Sequence, residues 1–173
     1  MTAKKYSTEP STEHRAENTN IENAVPENAE MFLETFVPYV MYRITNRLNK
    51  ELQKDLRPLN INVSRWRVLA ALNLRDGRTM GDLCTFTMIE QSSLSRVVDN
   101  MVDEGLVSRR LQKDDNRFVH VFLTDKGLAR YREVYPQAFS RQDIILDDFS
   151  EEEQDQLLQF LHRIETNIRK HRN

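Results

Sequence analysis

The sequence predicts a mainly α-helical fold that carries one small β-hairpin. Three observations support this. Its 173 residues include only four glycines and five prolines, too little material for a turn-rich β fold. From Met31 onward, apolar residues recur at helical spacing through most of the chain. Between Leu106 and Gly127 that spacing gives way to β-formers broken by a polar stretch.

Residues 1–29 are polar, rich in Glu, Asn, Thr and Ser, and without periodicity, which predicts a disordered tail. The tail carries the chain's net charge of −2: Lys4, Lys5 and Arg15 stand against Glu9, Glu13, Glu17, Glu22 and Glu27. From Met31 to about Leu56 one helical stripe holds Leu33, Val37, Val40, Met41, Ile44, Leu48 and Leu52, and a second strip holds Phe32, Phe36, Tyr39 and Arg43. Pro38 marks either a kink or the true start of this helix. Arg57-Pro58 ends it. Asn62 or Ser64 then caps a helix bearing Trp66, Leu69, Ala70 and Leu72, which stops near Asp76-Gly77.

Thr79, with Asp82 three residues on, opens a short helix through Phe86 that turns Met80, Leu83 and Cys84 inward. The next helix runs from Glu90 to Glu104, and Gly105 sits just past its end. Leu106 to Leu111 forms one strand, and Phe118, Val119, Val121, Phe122 and Leu123 mark the other. Their hairpin tip is expected at Lys113 to Asn116. Thr124 caps a helix to about Asp148, bent at Pro136. Ser150 to Glu153 is a capping box opening the last helix, whose stripe is Leu157, Phe160, Leu161, Ile164 and Ile168.

Several functions are disfavoured. No apolar run approaches the ~18 residues that span a bilayer, so no membrane partner is expected, and a single cysteine suits a reducing cytoplasm. No catalytic constellation is legible: the serines lack a neighbouring His-Asp pair, and there is no Gly-rich phosphate loop. His14, His120, His162 and His171 form no short ligand cluster, so neither metal nor cofactor is expected. Near-neutral charge does not exclude nucleic acid, because binding needs a local basic surface rather than a basic total.

The helix at Glu90 to Glu104 carries the functional signal. Leu94, Val97, Val98, Met101 and Val102 share one face. The other offers Ser92, Arg96, Asp99 and Asp103, flanked by Gln91, Ser93, Ser95 and Asn100. Short polar side chains let a helix amino end approach phosphates, and Arg96 suits a bidentate contact to guanine. For an isolated helix, a solvated face explains this as well. The order of short helix, turn, polar-fronted helix and hairpin, however, is that of a winged helix-turn-helix.

The segments "SRWRVLAAL", "SSLSRVVDNMVDEGLVSRR" and "DNRFVHVFLTDKG" resemble the MarR family of bacterial transcription regulators, whose wing carries Asp-x-Arg before a strand ending Leu-Thr-x-Lys-Gly. The resemblance implies a winged helix-turn-helix over 61–124 and a helical dimerisation region over 30–60 and 125–173. It implies double-stranded DNA contacts from Gln91, Ser92, Ser93, Ser95, Arg96, Asn100, Arg109, Arg110, Lys113 and Arg117. Arg117 would lie at the minor groove and Asp115 would hold its guanidinium. A homodimer would pair Phe32, Phe36, Ile144, Ile145, Phe149, Leu157, Leu161 and Ile164, and some of these serve equally as internal core.

The resemblance further implies a small effector, aromatic and anionic, at Tyr39, Arg43, Arg65 and Trp66. The expected function is a ligand-responsive repressor released by an aromatic acid or its coenzyme A thioester. A winged-helix protein-interaction module is the alternative. Redox sensing is not expected, since Cys84 lies at an inward position and the first helix has no thiol.

Overall fold

The computed structural model describes residues 33–112 and 115–171, and the side chains of 112–118 fall outside the description. The expected tail and Phe32 lie outside the described residues. Two compact units divide the chain at Arg43/Ile44. Helix α1 spans Val37–Leu56, and a 3₁₀ turn follows at Arg57–Leu59. Next come α2 (Val63–Leu74), β1 (Arg78–Thr79), α3 (Met80–Thr87), α4 (Gln91–Asp103), β2 (Val107–Gln112), β3 (Asp115–Leu123), α5 (Asp125–Ile145) and α6 (Glu151–Lys170). The fold is mostly helical with one small antiparallel sheet, as the sequence predicts.

Within the first unit, residues 33–35 are helical and Phe36 interrupts them, so α1 begins at Val37 with Pro38 in its first turn. The Phe36 carbonyl accepts the amides of Tyr39 at 2.9 Å and Val40 at 3.1 Å. Proline is tolerated there because first-turn amides have no helical acceptor in any case. Pro38 is therefore a start signal rather than a kink.

The core of the second unit gathers Leu56 and Ile61 with Val68, Leu69, Ala71 and Leu72 of α2, Leu83 of α3, and Leu94, Val98 and Met101 of α4. Leu106, Val107, Val121 and Val134 close it from the sheet and α5. The inward faces of α2 and α4 are the ones their periodicity indicates. Only Leu83 of α3 is fully buried, and Met80 and Cys84 are half-buried against the core.

Caps fix the helix starts. The Asn62 side chain accepts from Arg65 N at 2.9 Å, which decides between the two candidate caps. At α3, Asp82 N donates to Thr79 Oγ1 (3.1 Å) and Thr79 N donates to Asp82 Oδ2 (3.2 Å), a reciprocal capping box. The Thr79 hydroxyl first, then its amide, with Arg75 and Arg78 adding less, hold the Asp82 carboxyl below its ordinary value. A depressed folded pKa contributes stability above the unfolded carboxylate value of about 3.9, lost as pH falls through the folded one. Asp82→Ala is therefore expected to lower the melting temperature slightly at pH 7, with the gap to wild type closing below about pH 4. A gap independent of pH would remove this role.

The sheet differs from expectation in two ways. Its strand order is β1-β3-β2, with β1 a two-residue strand pairing Arg78 with Val121 and Thr79 with His120. Two residues carry no periodicity, so the sequence could not announce this strand. The Asp76-Gly77 turn clamps it in place: Asp76 Oδ1 accepts from Leu123 N at 2.9 Å, and His120 Nδ1 lies 2.8 Å from the Gly77 carbonyl. Gly77 is required here. Its φ of +69° is left-handed, and a Cβ would fall 2.7 Å from Phe122.

The hairpin is also tighter than expected. Gln112 pairs with Asp115 across an irregularity at Leu111/Gln112, so Asp115 and Asn116 belong to β3 rather than to the tip. Backbone pairing has overridden the polar composition on which the longer tip rested.

Helix α5 remains helical through Pro136 and ends at Ile145, not near Asp148. Ser150 caps α6 through the expected box with Glu153. Helix α6 has no buried residue at all, and its apolar stripe stays open to solvent. Among the described residues no helix is long and apolar enough to cross a membrane.

Candidate nucleic-acid interface

Helices α3 and α4 are joined by a turn in which Met88 takes a left-handed φ of 55°, its amide donating to the Cys84 carbonyl at 3.0 Å. Glycine usually fills such a position. Met88 does so with its side chain 83% exposed, leaving the turn bare on the surface. Behind the turn, Leu94, Val98 and Met101 anchor α4 in the core.

That anchoring presents the opposite face outward. Gln91, Ser92, Ser93, Arg96 and Asn100 are exposed and Ser95 is half-buried, so the structure brings these six sequence-predicted residues onto one surface. The start of α4 is unlike its neighbours. Side chains cap α2, α3, α5 and α6, whereas Glu90 makes no side-chain cap bond. The first-turn amides of α4 therefore lack an internal acceptor and point to solvent, the arrangement that favours an oxyanion. Among the described residues Arg96 has no ion-pair partner.

The two basic residues of β2 behave differently from Arg96. Arg109 forms an ion pair with Asp99 of α4, and Ser95 Oγ donates to the other oxygen of that carboxylate at 3.4 Å. Arg110 places its guanidinium 5.2 Å from the centre of the Phe122 ring. The side chains of Lys113, Asp115 and Arg117 lie outside the described residues.

Sequence reasoning missed the Asp99–Arg109 bridge. Its partners are ten residues apart across a turn, and no periodicity relates them. The bridge ties the wing strand to the helix and cancels one positive charge beside the exposed face. Asp99→Asn is therefore expected to strengthen non-specific duplex binding and steepen its salt dependence by about one counterion, with folding stability changed by about 1 kcal/mol at most. An unchanged salt slope in a fluorescence-anisotropy titration would remove Arg109 from the DNA surface.

A second feature lies behind this surface. A cleft of about 550 Å³ is walled by Thr45 and Asn49 of α1, Trp66, Arg67 and Ala70 of α2, and Phe86, Thr87 and Met88. Trp66 is stacked on Tyr131 at 5.3 Å and nearly parallel, and burial raises the Tyr131 phenol above its ordinary pKa. Arg65 is not a wall of this cleft. It stands about 200° around α2 from Arg67 and makes a two-bond ion pair with Glu104, one bond at 3.1 Å. Arg67 occupies the cleft instead, donating to Asn49 Oδ1 at 3.0 Å. Only one arginine of Arg65-Trp66-Arg67 can share the tryptophan's cleft, and composition alone cannot choose it. In the first unit, Arg43 lies over the Tyr39 ring at 6.0 Å.

The exposed helix, bare turn and adjoining hairpin match known proteins. A family profile described as MarR family matches residues 59–117. A transcriptional regulator of the MarR family from Silicibacter pomeroyi superposes with a TM-score of 0.74 and 34% identity, over 86% of this chain and 100% of that one. The chain belongs to the MarR family. As such it is a DNA-binding winged helix-turn-helix transcription regulator and not an enzyme. Within the family it is also similar to the transcriptional repressor IacR of Pseudomonas putida, 29% identical over 67% of this chain and 71% of that protein. BpsR of Bordetella bronchiseptica shares the MarR fold at a TM-score of 0.68 and 21% identity, over 75% of this chain and 98% of that one.

Proposed function

We propose that this regulator is a homodimeric repressor. It reads operator DNA with α4 and the wing, and it leaves DNA when a small aromatic anion, an acid or its coenzyme A thioester, enters the cleft beside Trp66. The observation that carries the reading is the uncapped, polar leading half of α4 with its unpaired Arg96. This pairs amides for phosphates with a guanidinium for a base edge. Arg117, held by Asp115, reaches the minor groove from the wing.

Two copies supply what one module lacks. A single helix and hairpin make a small interface, whereas a two-fold pair reads half-sites roughly 34 Å apart. The open stripe of α6, with Ile144, Ile145 and Phe149 exposed before it, supports the pairing. IacR is named as a repressor, which supports the direction of control.

For the effector, Trp66 and Phe86 offer aromatic walls and Arg67 offers a carboxylate anchor. BpsR, of the same fold, has its DNA binding regulated by 6-hydroxynicotinic acid, an aromatic acid. The wall residues Thr87 and Met88 immediately precede α4, so a ligand favouring one position of that turn changes how the recognition helices are spaced. Such a ligand acts only through its differential affinity for the two arrangements, ordinarily about 1–3 kcal/mol.

The test is operator binding by fluorescence anisotropy, with salt and sequence varied. Arg96→Ala is expected to relax discrimination at one base pair, costing about 1–3 kcal/mol there. Arg117→Ala is expected to weaken operator and unrelated duplex alike and to flatten the salt slope. Equal binding by wild type and both variants would end the assignment.

A further inference from the structure

The aromatic cleft does not stand alone. A second cleft, of about 530 Å³, is lined by Asn46, Asn49, Lys50, Gln53, Lys54, Val63 and Arg67, and shares Asn49 and Arg67 with the first. Resting on the effector reading above, we propose that the two form one bipartite site. Its ligand is an aromatic acyl group borne on a phosphate-carrying thiol rather than a free aromatic acid.

Charge argues for this first. No carboxylate lines either cleft, while Arg67, Lys50 and Lys54 do. The partners of Arg67 are both neutral: Asn49 Oδ1 at 3.0 Å and the Thr87 carbonyl at 3.4 Å. Lys54 bonds Glu51 at 2.6 Å on the exposed surface, a weak and easily exchanged pair, and Lys50 has no ion-pair partner among the described residues. The cleft around Arg65 makes the contrast. There Glu104 and Glu133 stand among Arg65, Lys126 and Arg130, and Arg65–Glu104 and Arg130–Glu133 are paired. Protein carboxylates thus answer the cations of that cleft, and those at Lys50, Lys54 and Arg67 await an outside anion. Lysine serves phosphate as a point charge, and the amides of Asn46 and Gln53 add donors.

Length argues second. The walls run along α1 from Thr45 to Lys54, nine residues or roughly 14 Å of helix. A one-ring acid with its carboxylate on Arg67 stays within the aromatic end. A thioester has no carboxylate to place on Arg67, so its acyl ring sits between Trp66 and Phe86 while the carrier passes Arg67 toward the lysines.

Trp66 is the chain's single tryptophan and lies in the wall, so its fluorescence reports occupancy directly. The full chain is titrated with benzoate and with benzoyl-coenzyme A, with operator release followed in parallel. Benzoyl-coenzyme A is expected to bind at least about tenfold tighter, with an affinity that falls more steeply as salt rises. Lys50→Gln with Lys54→Gln is expected to abolish that advantage and leave benzoate affinity unchanged. Equal affinity of the two probes with operator release intact would overturn the bipartite site and keep the effector reading. So would an equal loss for both probes in the lysine variant. If neither probe perturbs Trp66 or releases DNA, the effector reading falls and this inference with it.

Discussion

Gly127→Ala is expected to destabilise the protein by about 3 kcal/mol or more and to lower its melting temperature by roughly 10 °C. The direction opposes local propensity. Gly127 lies in the first turn of α5, where alanine is normally better than glycine by about 1 kcal/mol. Tertiary packing reverses the sign. A Cβ at Gly127 would fall 2.0 Å from the Leu106 carbonyl oxygen and 3.0 Å from its carbon, both backbone atoms that no rotamer change can move.

That carbonyl is also committed. It accepts the Thr124 amide at 3.1 Å and the Thr124 hydroxyl at 3.0 Å, while Thr124 Oγ1 accepts from Gly127 N at 3.0 Å. Making room for one methyl group therefore parts the start of α5 from the end of α4 and breaks hydrogen bonds that hold the wing at its root. Thermal unfolding followed by circular dichroism checks the prediction. An unchanged or raised melting temperature would mean that this close approach does not exist in solution. The final glycine of the Thr-Asp-Lys-Gly run is thus explained by packing rather than by any contact with DNA.

The same cluster shows what the sequence can and cannot disclose. Helix starts were legible because caps are local: Thr79 with Asp82, Thr124 and Ser150 with Glu153 each lie within a four-residue window. The buried face of α4 was legible because Leu94, Val98 and Met101 repeat at helical spacing. Strand β1 was not, since two residues paired across more than forty positions leave no local trace. The choice of Arg67 over Arg65 for the aromatic cleft was hidden too. It depends on the angle at which α2 meets α1 and α3, and both arginines read alike as sequence. The Asp99–Arg109 pair belongs to the same class, because hairpin and helix must fold before those charges meet.

The largest effect on function is expected from Leu161→Glu. In the isolated chain Leu161 is 40% exposed on α6, Ile168 is 63% exposed, and no residue of that helix is buried. Glutamate is nearly as good a helix former as leucine, so the substitution removes little that folds the chain itself. In the proposed dimer it sets a carboxylate in the middle of a stripe of Leu157, Ile164 and Ile168, where burial would leave the charge unpaired. Sedimentation is expected to show a monomer, circular dichroism unchanged helical content, and anisotropy an operator affinity lower by about a hundredfold or more, since the second half-site no longer adds its avidity. Non-specific binding should fall far less, because phosphate contacts belong to each module separately. Leu158→Glu is the control. That position lies about 100° around the helix from Leu157, at the edge of the stripe, and should leave the dimer largely intact. A Leu161→Glu protein that stays dimeric with full operator affinity would place the two-fold contact elsewhere and leave the stripe of α6 without its assigned partner.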